Sequence, residues 1–234
     1  MEELLRELVE RLRKAYGGRL QSVVLYGSAA SGDYHEKHSD LNVLCALERV
    51  GLTELELAAE TLRWWSKRRQ PAPLLLSCEE LRDGADAFPI EFLDIKESYR
   101  VLYGADLVAP MEVSLANHRR QLEHELRSRL LRIRKRFLEV QHDHQAVGRL
   151  MLDSLPTFAT FFRHALVAAG EKAPVRKAEI FQAAAARFQV GPAPFDSLLE
   201  VRAGRRKLAV ADTRPWFAAY LEGITRLAEI VDEI

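Results

Sequence analysis

The sequence has little of what marks a secreted mini-protein, a fibre or a membrane protein. Its 234 residues include two cysteines, Cys45 and Cys78, which make neither a disulfide framework nor a metal-binding spacing. Twelve glycines and nine prolines are too few for a collagen-like chain, and no low-complexity segment occurs. No apolar run approaches the roughly 18 residues needed to span a bilayer. The opening stretch MEELLRELVERLRKAYGG is acidic and amphipathic, without the basic leader and apolar core of a secretory signal, so a cytoplasmic location is expected. Net charge is lacking as well, because 34 Lys+Arg balance 34 Asp+Glu. That balance argues against a chain that holds nucleic acid by bulk positive charge.

What remains is a chain with 48% hydrophobic and 29% charged residues, the balance of a globular protein with a proper core. Its character changes near residue 110. Before that point, strand-length apolar runs alternate with helical patterns. Leu4, Leu5, Leu8, Leu12 and Tyr16 fall at helical spacing up to Gly17-Gly18, and a short buried strand, residues 20–26, follows. Leu41, Val43, Cys45 and Leu47 alternate as a strand does. Residues 53–68 read as a helix, 74–76 as a strand, and Ser77 with Glu80 has capping-box spacing. Residues 88–95, FPIEFLDI, read as a last strand. Beyond residue 110 the pattern is helical throughout, beginning with Leu122, Leu126, Leu130, Ile133, Phe137 and Val140 at steps of three or four. The expected fold is therefore α+β: a mixed sheet flanked by helices over residues 1–110, then an all-α bundle of five helices over 111–234.

The most informative segment is Leu25-Tyr26-Gly27-Ser28, then eleven residues, then Asp40-Leu41-Asn42-Val43. A buried strand that delivers Gly-Ser onto a helical turn presents backbone N–H groups and favours anions. Gly27 lets a phosphate approach the backbone, and Ser28 can donate to a phosphate oxygen. Strand alternation puts Asp40 and Asn42 on one face, where a carboxylate opposite a phosphate cradle can hold magnesium.

This pattern resembles the nucleotidyltransferase superfamily related to DNA polymerase beta, which includes the aminoglycoside nucleotidyltransferases. The resemblance covers roughly residues 20–105 and implies a nucleoside triphosphate bound with Mg2+ and transfer of a nucleoside monophosphate to a hydroxyl acceptor. It makes Gly27, Ser28 and Asn42 nucleotide-binding positions and Asp40 a metal ligand. It also calls for a third carboxylate from a later strand, and Asp94 fits that position best, as metal ligand and as base for the acceptor. Glu91 is its local competitor, placed on the opposite face by strand alternation. One departure stands out: the family's second carboxylate is Asn42 here, which weakens metal binding. The alternative is thus a catalytically inactive module that senses nucleotide or regulates a protein partner.

Other features have plainer readings. His35 and His38 lie in the loop before Asp40 as solvated residues or ligand contacts. His142 and His144 read as surface groups at a helix end. Arg127, Arg129, Arg132, Arg134, Lys135 and Arg136 form a basic run, either a solvated face or a surface that holds RNA or lines the phosphate cleft. Trp64 and Trp65 are neighbours on a helix, so one faces the core and the other is a candidate for a domain or homodimer contact. Charge also divides with the proposed domains. Residues 1–110 carry 14 Lys+Arg and 19 Asp+Glu, and residues 111–234 carry 20 and 15. An acidic metal-binding half and a basic half suit a polyphosphate held between them.

Overall fold

A computed structural model describes residues 1–30, 40–191 and 194–234, with the side chain of Ser28 outside that description. The chain divides into two compact units, Met1–Ser114 and Leu115–Ile234.

The first unit is built on a four-stranded sheet. Helix α1 (Glu2–Tyr16) buries Leu5, Leu8, Leu12 and Tyr16, the stripe its spacing predicts, and leads into β1 (Leu20–Tyr26). Strand β2 (Asn42–Leu47) is followed by two short helices, α2 (Leu52–Leu57) and α3 (Ala59–Ser66). Next come β3 (Leu74–Ser77), α4 (Cys78–Asp83), α5 (Pro89–Glu97) and β4 (Tyr99–Gly104). The strand order is β3-β2-β1-β4, with β1 antiparallel to both neighbours and β3 parallel to β2. The parallel pair is joined through α2 and α3, the helical crossover that parallel strands require. The expected capping box is present: Glu80 N–H donates to Ser77 Oγ at 3.0 Å, and Ser77 N–H donates to Glu80 Oε2 at 2.7 Å.

Two apolar layers cover the sheet. Val23, Leu25, Leu41, Val43 and Cys45 pack with α1 and Trp65 of α3, whereas Val24, Leu44 and Ala46 pack with Leu81 of α4 and Phe92 and Ile95 of α5. From Val23 onward, odd residues of β1 and β2 thus face one layer and even residues the other, as a pleated strand demands. Leu20 joins the odd layer because the register shifts between Leu20 and Ser22.

One expected element is wrong in type. Residues 88–95 are not a strand; Pro89–Glu97 is helical. Phe88, Ile90 and Phe92 alternate like a strand, but Pro89 stands at the first helical position, where its fixed φ and missing N–H cost nothing. Phe92 and Ile95, three apart, are the residues buried in the sheet-facing layer. The true last strand is β4, whose Tyr99 lies opposite Tyr26 of β1.

The second unit is helical: α6 (Leu115–Val140), α7 (His144–Ala168), α8 (Lys177–Phe188), α9 (Phe195–Arg202) and α10 (Val210–Glu233). Leu122, Leu126, Leu130 and Ile133 of α6 are buried as their spacing predicts. The core is aromatic, with Phe162 edge-on to Phe181 and Phe195, and Phe158 edge-on to Tyr220. Pro156 lies inside α7 and has no N–H for the Leu152 carbonyl; Arg202 Nη1 donates to that carbonyl instead, at 2.8 Å. Among the described residues, no helix is long and apolar enough to cross a membrane.

Candidate functional site

Strand pairing assembles the site at one end of the sheet. Tyr26, the last residue of β1, pairs with Asn42, the first of β2. After Tyr26 the chain turns through a short 3-10 segment, Gly27–Ala29, closed by Ala30 N–H donating to Gly27 O at 2.9 Å. Gly27 has φ +76°, the left-handed region where a β-carbon is strained, and a β-carbon there would lie 3.3 Å from Asn42 Nδ2. Asn42 is therefore seated directly against the Gly27 backbone. Asp40 is exposed, two residues before it, and the intervening Leu41 is fixed in the core.

Two neighbours fix this end. Gly27 N–H donates to Ser98 O at 2.9 Å, so this amide is already engaged within the chain. Leu41 N–H donates to the side chain of Gln70, Oε1, at 2.9 Å. That bond ties the Asp40-Leu41-Asn42 segment to the loop before β3.

Helix α5 packs on β1 and on the Gly27 turn. Its first turn carries Glu91 and its second Asp94, which is half-buried. Burial raises the Tyr26 phenol above its ordinary range, and the charge of Glu91 raises it further. On a helix, residues three apart share a side, so Glu91 and Asp94 do not face opposite ways as a strand would have them. Asp94 is correspondingly a helix residue, not the strand-borne carboxylate that the resemblance called for. Among the described residues, no three of His, Cys, Asp and Glu are grouped so as to hold a metal.

The sequence-predicted residues thus fall into three sets. Gly27, Asp40, Asn42 and the backbone of Ser28 meet at the ends of β1 and β2; Asp94 arrives on α5; His35 and His38 lie outside the described residues. Gln70 and Ser98 were missed. Ser98 follows the misassigned helix, and nothing in sequence links Gln70 to a segment 29 residues before it. The exposed His142 and His144 sit at the turn between α6 and α7. Trp65 is buried and donates from Nε1 to Pro71 O at 2.7 Å. Trp64 is half-buried, with the Arg11 and Arg68 guanidiniums 4.5 and 4.2 Å from its ring.

A mixed sheet with a Gly-Ser turn after one strand and an Asp leading into the antiparallel strand beside it is the arrangement of the nucleotidyltransferases. Residues 5–99 match the family model described as nucleotidyltransferase domain, so this part of the chain is a nucleotidyltransferase domain. A stretch of 43 residues is 42% identical to the "Putative protein adenylyltransferase" of Methanocaldococcus jannaschii. It spans 18% of this chain and 42% of that relative, less than half its length. The whole fold is similar to the crystal structure of spectinomycin adenyltransferase from Enterococcus faecialis with ATP and spectinomycin. That match has a TM-score of 0.61 and covers 99% of both chains at 14% identity, a likeness of fold. These findings support nucleotidyl transfer as the general class of chemistry.

Proposed function

We propose that the protein binds a nucleoside triphosphate with magnesium at the Gly27–Asp40 end of the sheet. It transfers the nucleoside monophosphate to a hydroxyl acceptor and releases pyrophosphate. The observation that carries this reading is the Gly27 turn, whose left-handed backbone packs against Asn42 with Asp40 beside it. The amides of Ser28 and Ala29 would receive phosphate oxygens. Asp40 and the Asn42 amide oxygen are hard oxygen donors. They suit magnesium, which takes one or two carboxylates together with substrate phosphates and keeps its waters, needing no all-protein cage. When bound, magnesium offsets the charge that develops on the phosphates. Asp94 and Glu91, on one side of α5, are the candidate bases for the acceptor hydroxyl. Both named relatives are adenyl-transferring by name, one with spectinomycin and one with a protein, so ATP is the triphosphate to test first.

A second reading rests on Asn42 itself. A neutral amide in place of a carboxylate lowers the ligand charge, and magnesium affinity with it. The protein would then bind nucleotide without transferring it, as a sensor or a regulator of a protein partner. Pyrophosphate release from ATP and magnesium, with small-molecule and protein acceptors supplied, separates the two. Transfer predicts measurable release by the wild type, a rise of roughly tenfold in Asn42→Asp, and loss in Asp40→Asn. A silent wild type that is rescued by Asn42→Asp favours the sensor. Silence in both proteins contradicts transfer.

A further inference from the structure

The basic run of α6 is not one surface. Arg127 pairs with Glu123 at 2.8 Å and Asp232 at 3.1 Å. Arg129, Arg132 and Arg136 lie three or four apart on one face and, with Arg149 of α7, line a cavity of about 450 Å³ held wholly within the helical unit. Its floor is apolar, with Ile133 and Phe158, and its polar wall includes Asp153 and Thr157. We infer that this cavity is a binding site for a mononucleotide-sized organic phosphate, built by the helical unit alone and independent of the transfer reaction proposed above.

Charge is the first argument. Four arginines line this concave surface, with one carboxylate, Asp153, among its lining residues. Arg129, Arg136 and Arg149 each reach an acid elsewhere, Glu125 at 3.8 Å, Glu139 at 2.6 Å and Asp143 at 3.9 Å. These pairs are solvent-exposed and offset little of the repulsion. Arg132 has neither an ion pair nor a hydrogen bond among the described residues. A concave wall of one sign focuses its field inward and favours an anion of matching charge.

Shape is the second. Planar guanidinium forks match phosphate oxygens two at a time. The volume falls within the range of small-molecule pockets, and an apolar floor has no use for inorganic phosphate alone but accepts a base or a similar ring. Asp153 offers an acceptor for a sugar hydroxyl or an exocyclic amine. A pocket of this volume with Phe158 in its lining suits a small phosphorylated molecule better than a nucleic-acid strand, which would track a longer groove.

The test is calorimetric titration of ADP into the full chain carrying Asp40→Asn, in EDTA, so that metal-dependent binding at the Gly27 turn does not contribute. Binding is expected there, weakened roughly ten- to a hundredfold by Arg132→Gln or Arg149→Gln and less by Arg132→Lys, which keeps charge but loses the fork. Adenosine and inorganic pyrophosphate should each bind at least tenfold more weakly than ADP. Arg132 is exposed, so its variants should keep the wild-type melting curve. Absence of ADP binding, or binding indifferent to both arginine substitutions, overturns the assignment. Pyrophosphate matching ADP overturns the organic part, and a single-stranded RNA bound in place of ADP makes the surface a nucleic-acid site. None of these outcomes bears on pyrophosphate release by the wild type, so the two proposals fail separately.

Discussion

At Gly27 the backbone sits at φ +76°, and a β-carbon would crowd the Asn42 amide nitrogen at 3.3 Å. The left-handed region costs an L-residue about 1–2 kcal/mol, so Gly27→Ala should lower the unfolding free energy from urea titration by roughly that amount and weaken ATP binding as well. A fully stable Gly27→Ala variant would mean that the turn relaxes readily. In the helical unit, His118 and His164 are both buried, with Nε2 of one 2.8 Å from Nδ1 of the other. Arg163 Nη2 lies 3.2 Å from His164 Nε2, so a further positive charge is poorly accommodated. Burial, then the neighbouring imidazole, depresses the pKa of His118 to about 4. A histidine that must stay neutral in the fold stabilises it fully above the unfolded pKa, near 6.5. Its contribution is lost as pH falls from there toward 4, because the unfolded chain then binds the extra proton. Urea unfolding should show stability declining across that window, and His118→Gln should flatten the decline. An unchanged pH slope in the variant would remove His118 as the cause.

Elements whose period was strong were legible in the sequence. The stripe Leu5, Leu8, Leu12, Tyr16 became α1, residues 20–26 became β1, and Ser77 with Glu80 capped α4. Helix α5 was not legible, because its apolar residues alternate over Phe88, Ile90 and Phe92 while the helical evidence is only Pro89 and the pair Phe92 and Ile95. That error separated Glu91 from Asp94 and hid Tyr99–Gly104 as the strand beside β1. Of the candidate site, the Gly-Ser turn and Asp40 were readable because they are local. Gln70 was not, because it reaches Leu41 only through the folded chain. Gln70→Ala leaves the Leu41 N–H without its partner, which should cost about 1–2 kcal/mol. It should also weaken magnesium-dependent ATP binding more than the same loss of stability imposed at a distant residue. Equal binding in Gln70→Ala and wild type would show that the clamp does not position Asp40.

The whole molecule resolves the zero net charge into two opposed halves. The unit Met1–Ser114 carries 14 Lys+Arg and 20 Asp+Glu, and Leu115–Ile234 carries 20 and 14. Neutrality therefore argues only against bulk electrostatic binding by the entire chain, while each unit keeps a field of its own sign. Each also has its own apolar core. The fragment Leu115–Ile234, made alone, should retain helical circular dichroism and melt cooperatively. A fragment that is unfolded would show that the two cores are not independently stable.

The claim on which the function turns is that Asp40 and the Gly27 turn hold a triphosphate together with a metal. Titration of ATP with and without magnesium, in the wild type and in Asp40→Asn, tests it most directly. Asp40 is exposed, so its substitution should leave the melting temperature unchanged while the magnesium-dependent part of ATP affinity falls at least tenfold. ATP affinity indifferent to magnesium in the wild type, or a magnesium effect that survives Asp40→Asn intact, would contradict it.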